Sequence, residues 1–146
     1  MGADLYRKSI SEPAYTKYHT EWKKLIQART PRDEQCEKAH QAECDRLWAL
    51  MYPDEGYFRD SYNDSNLLWT LGLSWWGLDI DDDGCMGGDK LEAFQDQVFN
   101  ATMTLPRDTP ESEQSEATAY FQEKRLKLLA FLEGAIKAGE RVVFSV

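Results

Sequence analysis

No stretch of the chain approaches the roughly 20 consecutive apolar residues that span a bilayer. The opening Met1-Gly2-Ala3-Asp4-Leu5-Tyr6 also lacks the apolar run of a secretory leader. Tyr6 stands where a myristoylation motif wants Ser or Thr. Cysteine is scarce and odd in number: Cys36, Cys44 and Cys85 have no framework spacing, so reduced thiols and a cytoplasmic location are expected. Basic charge is short too, with 17 Lys and Arg against 26 Asp and Glu and a net charge of −9. Such a field repels a phosphate backbone and attracts a basic protein or a divalent cation, so the expected partner is a protein and not a nucleic acid or a membrane. Signatures of catalysis are missing as well: the chain has no GxSxG, HExxH, P-loop or dinucleotide fingerprint.

What remains is ample core material. The 146 residues make one domain of ordinary size, with 42% hydrophobic and 12% aromatic residues, which excludes intrinsic disorder. Tyr15, Tyr18, Trp22, Leu25 and Ile26 recur at helical spacing after Glu12-Pro13, where a first helix is expected to open. Thr30-Pro31 signals a second helix, with Cys36, His40, Cys44, Leu47, Trp48 and Met51 on one stripe and a hairpin between the two. The apolar run from Leu67 to Leu78 reads as a central third helix, and Asp89-Lys90-Leu91-Glu92 as the capped start of a fourth. A long fifth helix follows Thr109-Pro110 and ends at Gly139. The β-branched tail at 141–146 needs a strand partner, and the N-terminal segment is the one expected. The predicted fold is mainly α (α+β): about five helices in an irregular bundle, with a small two-stranded sheet formed by the two ends of the chain.

Two segments carry candidate chemistry. Asp79-Ile80-Asp81-Asp82-Asp83-Gly84-Cys85-Met86 resembles the start of an EF-hand calcium loop, with Asp79, Asp81 and Asp83 at positions one, three and five, Gly84 at the sharp turn and the Cys85 carbonyl at seven. Position twelve is Lys90 in place of the bidentate Glu, so the expectation is no resident cofactor and at most weak Ca²⁺ or Mg²⁺ occupancy. The alternative is a solvated turn between helices. The second segment, 57–64, mixes aromatic and hydrogen-bonding groups in a loop, and Tyr57, Arg59, Asp60, Tyr62 and Asn63 are its candidate binding residues. The competing reading is that the aromatics pin the loop to the core while Arg59 and Asp60 satisfy local backbone, with Asp64 or Ser65 capping the third helix. Cys36, His40 and Cys44 lie too far apart along one helix to share a zinc ion.

MGADLY, GYFRDSYNDSNLLWTLGLSWW and the closing ERVVFSV resemble uncharacterised bacterial hypothetical proteins. The resemblance implies a bacterial or phage setting and carries no chemistry. Acidity, aromatic content and the missing catalytic motifs lead to a non-enzymatic protein-binding module, by analogy with small acidic inhibitors such as immunity proteins. A divalent-cation domain built on 79–90, and a small-molecule binder or enzyme centred on 57–64, stay open beside it.

Overall fold

The computed structural model describes every residue except Met1, Pro31 and Asp64. It divides into two compact units, residues 8–56 and the remainder formed by 1–7 with 57–146.

The larger unit contains an antiparallel four-stranded sheet in the order β2-β1-β4-β3, from β1 (Gly2–Arg7), β2 (Tyr57–Ser61), β3 (Cys85–Met86) and β4 (Val142–Ser145). The ends of the chain pair as expected, Leu5 facing Phe144 and Tyr6 facing Val143. The sheet is larger than the two strands expected, because the 57–64 loop contributes β2 and the Asp-rich loop contributes β3. Period-two burial explains both the strands and the core: Ala3, Leu5, Phe58, Val142 and Phe144 share one face. That face packs on α4 (Gly88–Asn100) and α5 (Gln114–Lys137) through Leu91, Phe94, Val98, Phe121, Leu128 and Leu132. Each fully buried Leu contributes ~1.5–3 kcal/mol relative to exposure.

The third helix is much shorter than its hydrophobicity predicts. It covers Leu67–Thr70 (α3), followed by a separate 3₁₀ turn at Trp75–Gly77. Gly72 at φ +69° ends α3 in a Schellman motif, with the Leu73 N–H on the Leu68 carbonyl at 2.9 Å and the Gly72 N–H on that of Trp69 at 3.0 Å. Gly139, at φ +62°, ends α5 the same way, with the Glu140 N–H on the Ala135 carbonyl, as its position after the last periodic residue predicts. Gly87, and not Asp89, precedes α4, and Asp89 lies inside its first turn, where a carboxylate favours the helix dipole. A 3₁₀ turn at Glu111–Glu113 intervenes between Pro110 and α5.

The smaller unit is the expected helical hairpin of α1 (Lys8–Ala28) and α2 (Glu34–Met51). α1 begins before Pro13 and carries that residue inside it. Asp33 caps α2, accepting the Cys36 N–H at 3.1 Å, so the start signal lies three residues beyond Thr30; Pro31 falls outside the described residues. Glu37 ties the turn, 3.3 Å from both Arg29 and Arg32. Ala14, Leu25, Cys44, Leu47 and Met51 form its narrow buried seam.

Candidate functional site

The strand geometry of β2 decides the fate of the 57–63 candidates. Tyr57 and Arg59 point to one face of the sheet, Asp60 to the other. Register sets Asp4 opposite Arg59, and the Tyr57 hydroxyl donates to Asp4 Oδ1 at 2.5 Å, with Arg59 Nε 3.6 Å from the same carboxylate. Burial, and then the Asp4 carboxylate, push the Tyr57 hydroxyl up to about 12.

Asp60 is fully buried and structural. Its Oδ2 accepts the Leu67 N–H and the Trp75 indole N–H, each at 2.9 Å, and Oδ1 stands 2.9 Å from Lys124 Nζ. Tyr62 donates to the Ser145 carbonyl at 3.1 Å, and its ring stacks on Trp76 at 5.3 Å. Asn63 organises the turn before α3, accepting the Ser65 N–H on Oδ1. Asn66, rather than Ser65, caps α3 through the Trp69 N–H; Asp64 lies outside the described residues. Tyr57 and Arg59 thus share the Asp4 carboxylate on one face of the sheet, while Asp60, Tyr62 and Asn63 each have contacts of their own elsewhere.

The Asp-rich loop is likewise occupied by its own chain. Lys90 Nζ lies 2.9 Å from Asp79 Oδ1, and Arg141 pairs with Asp81 Oδ2. Asp81 Oδ1 accepts the N–H groups of Asp83 and Cys85 at 3.0 and 2.9 Å, and the Asp81 N–H donates back to the Cys85 carbonyl at 2.9 Å. Gly84 turns at φ +73°, as the sixth loop position requires. Asp83 is exposed, whereas Cys85 is buried as part of β3. Among the described residues no three His, Cys, Asp or Glu side chains are grouped to hold a metal ion.

Both hairpin thiols are held above their ordinary range. Asp33 beside Cys36 raises that thiol, and burial, followed by the charge of Glu21, raises Cys44, opposite to the shift a thiolate needs. His40, one turn from each, is 2.9 Å from Glu21 Oε2.

A cleft missed in the sequence lies in the larger unit. Its volume is about 900 Å³, and its apolar walls are Trp69, Gly72 and Leu73 on one side and Leu105 and Pro106 on the other. Gly72 ends α3 at a positive φ, and Trp69 in the helix is 56% exposed. The opposite wall is fixed by the Thr104 N–H on the Thr70 carbonyl at 2.7 Å. Arg125 of α5 holds the chain leading into that wall by donating to the carbonyls of Phe99 and Ala101. Ser65, Ser74, Thr104, Arg107 and Asp108 add the polar lining.

Composition suggests a core rich in tryptophan, but Trp75 alone of the five is buried; Trp22, Trp48, Trp69 and Trp76 are exposed. The acidity is equally uneven: residues 1–7 with 57–146 carry a net charge of −8, and residues 8–56 carry −1. No described helix is long and apolar enough to cross a membrane. No protein-family model, curated protein or solved structure matches the chain.

Proposed function

We propose that the chain is a non-enzymatic protein-binding module whose larger unit takes up a basic protein segment in the Trp69 cleft, in a cytoplasmic, reducing setting. The observation that carries this reading is Trp69, more than half exposed at the wall of an apolar cleft, on a unit of net charge −8. A rigid aromatic anchor loses little conformational entropy on binding and is the commonest kind of interface hot spot. The acidic field steers a basic partner toward it and contributes more to encounter rate and selectivity than to contact energy. The structural contacts of Tyr57, Asp60, Tyr62 and Asn63 favour this reading over a small-molecule site at 57–64.

Capture experiments with the immobilised chain and its Trp69→Ala variant test it. The reading expects a partner of basic sequence that is held at low ionic strength, released by salt and lost with Trp69→Ala. A captured set that is indifferent both to salt and to Trp69 contradicts it.

A further inference from the structure

Part of the surplus acidity of the larger unit adjoins the Trp69 cleft. Most basic residues of that unit are taken by ion pairs, among them Arg7 with Glu140, Lys90 with Asp79, Lys124 with Asp60 and Arg141 with Asp81. Asp108, Glu111, Glu113 and Glu116 are exposed and belong to no ion pair among the described residues. This run follows directly on the Leu105–Pro106 wall. The Thr109 N–H on the Pro106 carbonyl at 3.0 Å and the Glu113 N–H on the Pro110 carbonyl at 2.9 Å fold the chain in consecutive turns from the wall into the start of α5. The dipole of α5 favours carboxylates at that end, so their crowding costs the fold little. Other unpaired carboxylates, such as Asp82 and Asp83 in the Asp-rich loop, lie outside the cleft lining.

The walls of the cleft differ in charge. Ser65, Trp69, Gly72, Leu73 and Ser74 are uncharged, whereas the opposite wall ends in Arg107 and Asp108. Arg107 is exposed, has no ion pair among the described residues, and disfavours a second cation within the cleft. An incoming basic segment therefore meets apolar surface at Trp69 and Leu73, and favourable charge only from Asp108 onward.

We propose that the segment held in the cleft is divided in the same way, with an apolar anchor on Trp69 and its lysine or arginine residues gathered at one end, along Asp108, Glu111, Glu113 and Glu116. This inference rests on the reading of the Trp69 cleft as the site for a basic segment and adds the residue order that the site selects. An exposed charge pair is worth a factor of about 1.5–5 in affinity, so several pairs on one side of the anchor together set the preference.

Synthetic peptides of one composition, each a leucine pair with lysines and serines, test this on the intact chain. In one design the lysines are gathered at one end of the leucines, made in both chain directions; in the other they are split between the two ends. The readout is the indole N–H signal of Trp69, identified by its loss in Trp69→Phe and followed by NMR at low ionic strength. The gathered peptide, in one of its directions, is expected to bind about 3–10-fold tighter than the split one. Glu111→Gln together with Glu113→Gln removes that preference. Asp82→Asn together with Asp83→Asn removes the same charge from the Asp-rich loop, weakens all the peptides alike and leaves the preference in place. Equal affinity for the gathered and split peptides, or a preference that survives Glu111→Gln with Glu113→Gln, overturns the proposed order, while a Trp69 signal that still moves leaves the cleft reading standing. A Trp69 signal that no lysine peptide moves contradicts both.

Discussion

Asp60 and Lys124 form an ion pair 2.9 Å apart, with the carboxylate side chain wholly buried and the lysine 19% exposed. The pair joins β2 to α5, while the other Asp60 oxygen holds the Leu67 N–H at the start of α3 and the Trp75 indole. Burial opposes the Lys124 ammonium, but Asp60 and the Tyr120 hydroxyl outweigh it, so Lys124 titrates above its ordinary value. The unequal exposure of the two groups predicts unequal costs of breaking the pair. Lys124→Met strands a buried carboxylate and costs about 3 kcal/mol. Asp60→Asn costs less, because the amide still accepts an N–H and Lys124 can reach water. Urea denaturation of both variants measures the difference, and equal costs contradict the assigned roles.

Gly72 gives a cleaner backbone test. A Cβ placed there meets no atom within 4 Å, so Gly72→Ala has no steric neighbour and only the positive φ of +69° to oppose it. The expected loss is about 1–2 kcal/mol, the cost of the left-handed region for an L-residue. A neutral Gly72→Ala in denaturant melts shows that the Schellman turn does not hold the cleft wall in place.

Alkaline pH reports on the sheet. Tyr57 ionises near 12 in the folded chain against an ordinary 10.0, so the unfolded chain releases this proton first. The contribution of Tyr57 is full below pH 10.0 and is lost as pH rises toward about 12. Lys124, raised from 10.5, acts in the same direction. Thermal melts across this window are expected to fall steeply, and Tyr57→Phe to flatten part of the slope. An unchanged slope places the alkaline loss elsewhere.

The Asp-rich loop should behave as a hydrogen-bonded turn. Asp81→Ala removes two backbone hydrogen bonds and the Arg141 pair, and is expected to cost about 1–3 kcal/mol. Micromolar Ca²⁺ is expected to leave tryptophan fluorescence and melting temperature unchanged, since Lys90 and Arg141 already neutralise Asp79 and Asp81. Trp75 and Trp76, just ahead of the loop, are placed to report any ordering. Saturation at micromolar Ca²⁺, abolished by Asp81→Ala, contradicts this reading and restores the calcium loop.

The hairpin, α4, α5 and the pairing of the chain ends are legible in local patterns, Leu91–Phe94–Val98 on one face, Gly139 beyond the last turn and β-branched residues at 142–143, whereas the helix starts are not, since Asp33 and Gly87 take the cap positions expected of Thr30 and Asp89. β2 was hidden because Asp60 and Ser61 are poor strand residues. Asp60 is tolerated there only because Lys124, Trp75 and Leu67 supply partners from distant points of the chain. The apolar run at 67–78 suggested one long helix, since hydrophobicity does not distinguish a helix from a buried turn; Gly72 was the informative residue. The cleft depends on bringing Trp69 near Leu105 and Pro106, a tertiary relation with no local periodic signal.

The central claim concerns Trp69, and a photo-crosslinking amino acid at that position in the living host tests it most directly, with position 99 as an exposed aromatic control. The account predicts a crosslinked species from position 69 that contains a basic protein, is absent from position 99 and disappears when salt is raised in the extract before irradiation. A position 69 that crosslinks to nothing, or to the same proteins as position 99, contradicts it.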